Sequence, residues 1–258
     1  MKPAIAQGPK LRSTRHTANL KTLWATGLLA MALLPFAACS SSSSAKETSK
    51  RFPVADFTAL ELEVIGEVFY TQSDSSYLHV TGSADLIERL KVANTNGTLE
   101  VELEDKKKFS MNKKELVIRI GSPRLTAVDF NSIGTFHLAK GFRGDALHIA
   151  NNGVGEIKVE DCQVTTFALE SKGVGTVVVQ GTATDASIRS EGMGEVDCAA
   201  LKAANVKAES KGVGNISVYA TTSLDIKLSG VGNLKYYGNP ADVKTDISGM
   251  GKATNMGQ

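Results

Sequence analysis

A three-residue corner recurs along the second half of the chain: Ser132-Ile133-Gly134, Gly153-Val154-Gly155, Gly173-Val174-Gly175, Gly192-Met193-Gly194, Gly212-Val213-Gly214, Gly230-Val231-Gly232 and Gly249-Met250-Gly251. The central residues lie 21, 20, 19, 20, 18 and 19 positions apart. A unit of this length cannot bury an apolar face alone, so such units must stack and share a core. Apolar columns flank each corner. Three positions after the central residue stand Phe136, Ile157, Val177, Val196, Ile216, Leu234 and Ala253; five positions before it stand Val128, Ile149, Leu169, Ile188, Ala208, Ile226 and Thr245. On both flanks apolar and polar residues alternate, the period-two mark of half-buried strands.

Each repeat therefore reads as strand, glycine corner, strand and connection. No segment between corners has helical period or length, which excludes leucine-rich, ankyrin and tetratricopeptide arrays. The pattern predicts an all-β fold: a single-stranded right-handed β-helix, or β-solenoid, of about seven rungs of 18–21 residues over 125–258. Neighbouring rungs would lie about 4.8 Å apart. The last rung, with Thr245 and Asn255 in core columns, reads as a terminal cap. Of the 24 glycines, 13 flank the seven central residues, so the glycine excess is a corner code. Cys198 falls in a core column and Cys162 lies two rungs earlier at another phase. Two rungs exceed the roughly 7 Å reach of a disulfide between Cα atoms, so no bridge is predicted. Lys172, Glu191 and Lys211 share one outward column and predict a surface charge ladder.

Residues 54–124 form a β-rich N-terminal part, with strand patterns at Leu60–Val64, Val68–Thr71, Tyr77–Thr81, Leu99–Leu103 and Leu116–Ile120. Ile65-Gly66 followed by Val68 and Tyr70 copies the rung phase, so this part reads as degenerate first rungs or as a separate sheet. Ser83–Leu90 fits a short helix capped by Ser83, and Asn96-Gly97 a tight hairpin. Lys106, Lys107, Lys108, Lys113 and Lys114 make the one dense charge run. It reads either as a contact for anionic headgroups or acidic glycans, or as a solvated hairpin tip.

The N-terminus carries a different signal. Residues 1–22 are basic without an acid; Leu23–Leu34 are apolar; Pro35-Phe36-Ala37-Ala38 lead to Cys39. These are the parts of an export signal, too short and interrupted for a comfortable membrane span. The small residues before cysteine resemble the lipobox of bacterial lipoproteins. That resemblance implies cleavage after residue 38 and acylation of Cys39, followed by a flexible Ser-rich tether over 39–53. Several acyl chains hold a protein stably on a bilayer. The first 38 residues carry five of the 29 basic residues and none of the 27 acidic ones, so their removal takes the net charge from +2 to −3. Neither value offers a field for nucleic acid.

The stretches Glu170-Ser171-Lys172-Gly173-Val174-Gly175, Lys211-Gly212-Val213-Gly214-Asn215 and Leu228-Ser229-Gly230-Val231-Gly232, with the lipobox, resemble the auto-transporter adhesin, head GIN domain family over roughly Phe57 to Gly251. The resemblance implies a β-helical domain on envelope or secreted proteins, outer-membrane lipoproteins of Bacteroidetes-like bacteria among them. It carries over no catalytic motif, cofactor or metal ligand. The residues themselves agree: Gly173-Val174-Gly175 lacks the third glycine and the helix of a dinucleotide loop, and the histidines lack metal spacing. The leading expectation is a lipid-anchored adhesin-like module binding a glycan or an envelope or extracellular protein. A polysaccharide-active β-helix enzyme and a structural or stress-response envelope component are the alternatives. The enzyme would need acids and a basic residue gathered in a groove, and Tyr219 and Tyr237 are its candidate sugar platforms.

Overall fold

The computed structural model describes residues 47–104 and 116–257. The signal segment, Cys39 and the lysines at 106–108 and 113–114 lie outside the described residues. All described elements belong to one compact unit, Ser44–Gln258.

The repeat dictates what is seen. Strands β8 (Ala127–Phe130) and β9 (Ile133–Leu138) flank the first corner. The chain then runs through β10 (Phe142–Asn151), β11 (Val154–Ser171), β12 (Val174–Ser190), β13 (Met193–Ser210) and β14 (Val213–Leu228). It ends with β15 (Leu234–Tyr237), β16 (Asp242–Ile247) and β17 (Ala253–Asn255). Successive levels pair in parallel with each corner in register, as in Gly134↔Gly155↔Gly175↔Gly194↔Gly214. This is the expected β-solenoid. It makes about six turns rather than seven, because seven corners delimit six intervals.

Glycine is required at the corners for two separate reasons. At Gly175 the backbone has φ +135°, a region that side chains disfavour, and an added Cβ would lie 1.9 Å from the carbonyl oxygen of Gly155. At Gly173 a Cβ would lie 2.2 Å from the oxygen of Gly153. Backbone stacks directly on backbone there. A second bend falls within the long strands, where the β11–β12 and β12–β13 registers shift between Val159 and Cys162 and between Val178 and Gln180.

The N-terminal part is not a separate domain. It comprises β1 (Glu47–Phe52), β2 (Ala59–Glu63), β3 (Ile65–Gln72), β4 (Tyr77–Ser83), α1 (Ala84–Glu88), β5 (Leu90–Thr95), β6 (Thr98–Leu103) and β7 (Leu116–Ser122). Rung β2–β3 stacks under β8–β9 with Gly66↔Gly134 in register, which places Ile65-Gly66 as a true rung corner. The later rung β6–β7 pairs with the other edge of β2–β3, so the chain begins one level inside the stack. Antiparallel β4 and β5 flank that outer rung, joined by α1, whose Leu86 and Ile87 enter the common core. Asn96 (φ 52°) and Gly97 (φ 80°) form the expected tight β5–β6 turn. Ser83 precedes α1 without a side-chain capping bond. Glu47–Phe52, within the segment expected to be flexible tether, is instead strand β1, paired antiparallel with β4. Its alternation is too weak to read, and the partner's free edge draws it in.

One apolar cluster runs from Phe57 to Leu234. Ser132 replaces glycine at the first corner because the level beneath it differs. Its hydroxyl accepts from Val64 N–H at 2.9 Å and donates to the Leu62 carbonyl at 2.9 Å. Cys162 and Cys198 are buried and unbridged, Cys162 facing the core from within β11. At the far end the cap expectation holds only for Thr245 and Asn255. Val243 and Ile247, also on the inward face, remain 39% and 43% exposed.

Candidate binding surface

In the strands the inward parity is fixed by the core columns, so the central residue of every corner points outward. The result is a continuous ridge of Ile133, Val154, Val174, Met193, Val213, Val231 and Met250, each between 41% and 72% exposed. Register pairs each with the next. Six rung intervals make the ridge about 29 Å long. The sequence displays these residues as the repeat's own centre, but only the structure shows that they face solvent.

A second surface lies on the outer side of the strand segments that precede the corners. Two polar columns, Asp185–Asn205–Ser223–Asp242 and Ser187–Lys207–Asp225–Lys244, border a groove of about 330 Å³. Asn205 donates to Asp185 at 2.9 Å, and Ser223 donates to the Asn205 amide oxygen at 2.9 Å. Lys244 lies 3.7 Å from Asp242. The groove thus gathers three carboxylates and two lysines from four rungs. Their scattered sequence positions share only a common offset from the corner, so no sequence motif joins them.

Of the predicted ladder the Glu191–Lys211 step forms, whereas Lys172 lies 3.4 Å from Glu170 instead, and the hub of the charge network is Arg189. Arg189 reaches Glu191 at 2.5 Å and Glu209 at 3.2 Å, and Lys211 joins Glu209 at 2.8 Å and Glu191 at 3.9 Å. Hydrogen bonding from Arg189 holds the Glu191 carboxyl below its usual range. Near the opposite end the sign is unbalanced: Glu61 stands between Glu100 and Asp129 on neighbouring strands. Partial burial, then Asp129, Glu100, Glu63 and Glu102, raises the Glu61 pKa.

Tyr219 and Tyr237 are register neighbours on β14 and β15, and Lys202 Nζ sits 5.8 Å from the Tyr219 ring centre. The two expected aromatic platforms are therefore side by side. His79, His137 and His148 lie on β4, β9 and β10; among the described residues no group of three or more His, Cys, Asp or Glu could hold a metal ion. No described helix is long and apolar enough to cross a membrane.

The model of one family, described as putative auto-transporter adhesin, head GIN domain, matches residues 56–240. The chain is similar to a solved putative adhesin from Bacteroides fragilis, with 32% identity and a TM-score of 0.80 over 83% of this chain and 98% of that one. A putative adhesin from Parabacteroides distasonis matches at 19% identity and a TM-score of 0.65, over 83% of this chain and 98% of its own. A putative lipid binding protein from the same organism matches at 22% and 0.59, over 82% and 98%. No curated protein matches the chain.

Proposed function

The chain belongs to the putative auto-transporter adhesin, head GIN domain family, and from that premise we propose that it is an adhesin-like binding module, tethered to the envelope through acylated Cys39, that holds a protein partner along its corner ridge. The observation that carries the reading is the ridge itself. Seven outward positions out of seven are Ile, Val or Met. Strand propensity does not require this, because Thr is equally β-branched and Met is not branched at all. Contiguous exposed apolar patches on soluble proteins, of roughly 300–600 Å² or more, commonly mark interaction sites.

The test compares the Ser44–Gln258 unit with a V154T/V174T/V213T variant on arrays of envelope and extracellular-matrix proteins and on a glycan array. The variant keeps branched side chains, so far-UV circular dichroism should be unchanged while protein binding falls at least tenfold. Binding confined to glycans, or protein binding untouched by the three threonines, would sink the ridge reading. The anchor has its own test: Cys39→Ala should move the protein from the membrane to the soluble fraction. The groove favours a second reading, engagement of an acidic polysaccharide, with Lys207 and Lys244 as cation partners and the three aspartates as candidate acid–base groups. Release of new chain ends from acidic glycans, lost in D225N, is its signature.

A further inference from the structure

Strand β16 pairs with β14 along one edge, and among the described residues its other edge has no partner strand. It lies beyond the residues that the family model matches. All six of its residues are exposed. Yet its inward face, set by register on buried Leu224, Ile226 and Leu228, is Val243-Thr245-Ile247. This is a short β-branched strand with half-covered apolar residues and open backbone donors and acceptors, the arrangement that recruits another strand. The opposite end of the stack is treated differently, with antiparallel strands and the buried residues of α1 covering it.

The sequence of β16 also complements itself. In an antiparallel pair centred on Thr245, Thr245 meets its symmetry mate, Val243 meets Ile247, and Lys244 meets Asp246. Opposed residues share a face, so the apolar pairs continue the core while two Lys–Asp pairs form outside. The neighbouring registers fail. Centring on Lys244 opposes Asp242 to Asp246 and lysine to itself; centring on Asp246 opposes aspartate to itself. A half-residue shift would turn one copy's inward face to solvent, which a closed rung forbids.

We propose that β16 is a self-association edge, through which two copies of this chain join end to end by antiparallel β16–β16 pairing about a two-fold axis at Thr245. The groove bordered by Asp242 and Lys244 reaches this edge, so the pairing would run the grooves of both copies into one. The contact is isologous and closes at two copies.

The test uses the Ser44–Gln258 unit with two readouts. Light scattering after gel filtration should give twice the chain mass at about 100 μM, where micromolar association is well populated. Ile247→Lys, which adds a charge at an already exposed inward position, should give the single mass with unchanged circular dichroism. For the register, Thr245→Cys oxidised with glutathione disulfide should yield a covalent dimer, since directly opposed Cα atoms lie about 4.5–5.5 Å apart. Asp225→Cys, one rung inside, should not; native Cys162 and Cys198 are buried. A single mass for the unaltered unit, a dimer that survives Ile247→Lys, or equal cross-linking from positions 225 and 245 overturns the proposal. So does recovery of β16 paired to a strand of some other protein. None of these outcomes depends on ridge binding, so the two readings fail separately.

Discussion

The corner glycines combine two demands, close backbone stacking and positive φ, and three alanine substitutions separate them. Gly141→Ala tests conformation alone: φ is +85° and nothing lies within 4 Å of the added Cβ. Strain of this kind costs about 1–2 kcal/mol. Gly173→Ala tests stacking alone: no unfavourable φ is involved, but the Cβ would sit 2.2 Å from the Gly153 oxygen. Relief to an ordinary contact of about 3.4 Å needs more than 1 Å of rung separation. That would weaken Val174 N–H to Gly153 O and Met193 N–H to Gly173 O, both 3.0 Å. Two such bonds are worth about 1–3 kcal/mol net. Gly175→Ala imposes both, with φ +135° and a Cβ 1.9 Å from the Gly155 oxygen, so about 2–5 kcal/mol is expected. Urea unfolding followed by far-UV circular dichroism reads all three, and unchanged slopes would justify comparing midpoints. Repeat arrays can unfold in parts, so the slope is a check and not a formality. The expected order is Gly141→Ala mildest, Gly173→Ala intermediate and Gly175→Ala worst. If Gly173→Ala proves no costlier than Gly141→Ala, backbone stacking is not why glycine occupies the corner.

Ser132→Ala should cost about 1–3 kcal/mol, because it leaves the buried Val64 N–H without its acceptor, as a lowered urea midpoint would show. Glu61→Gln should stabilise the protein at pH 7. A carboxyl whose folded pKa is raised destabilises the fold above its ordinary pKa, and protonation removes that penalty, so the gain should shrink toward pH 4. Glu191→Gln should do the reverse: its folded pKa is lowered, so it contributes stability at pH 7 that fades as acid protonates it, and the variant should have the lower midpoint only at neutral pH. Neither Cys162 nor Cys198 should react with a thiol reagent at pH 8 until urea is added, since burial pushes Cys162 up to about 11 and raises Cys198 as well.

What the sequence discloses follows from which residues must repeat. Inward positions and corners are constrained at every level, so their columns are visible by spacing, and even the Ile65-Gly66 rung shows through its phase. The order of the first rungs is not visible, because nothing local tells β2–β3 that β6–β7 will return to its outer edge. Strand β1 is hidden for the same reason: its pairing depends on the free edge of β4, not on its own alternation. The surfaces divide along the same line. The ridge is carried by the repeat and can be seen, whereas the groove residues Asp185, Asn205, Ser223 and Asp242 change type from each level to the next and meet only through register.

That division bears on how such a chain acquires a partner. Outward columns have no core to fill, so substitution there changes surface chemistry while leaving the stack intact, and most outward columns here vary freely between acids, bases and amides. The corner centre is the exception. It is flanked by glycine on both sides at every corner but the first, where Ser132 precedes it, it faces solvent at all seven levels, and it still admits only Ile, Val or Met. A position that folding leaves free but that stays apolar throughout is the observation on which the proposed partner rests. Lys172, Glu191 and Lys211 stand two positions before three of these centres, so charge borders the apolar line. On the reading proposed above, the partner would be long in one dimension and apolar, meeting the solenoid along the line of corner centres rather than at a pocket.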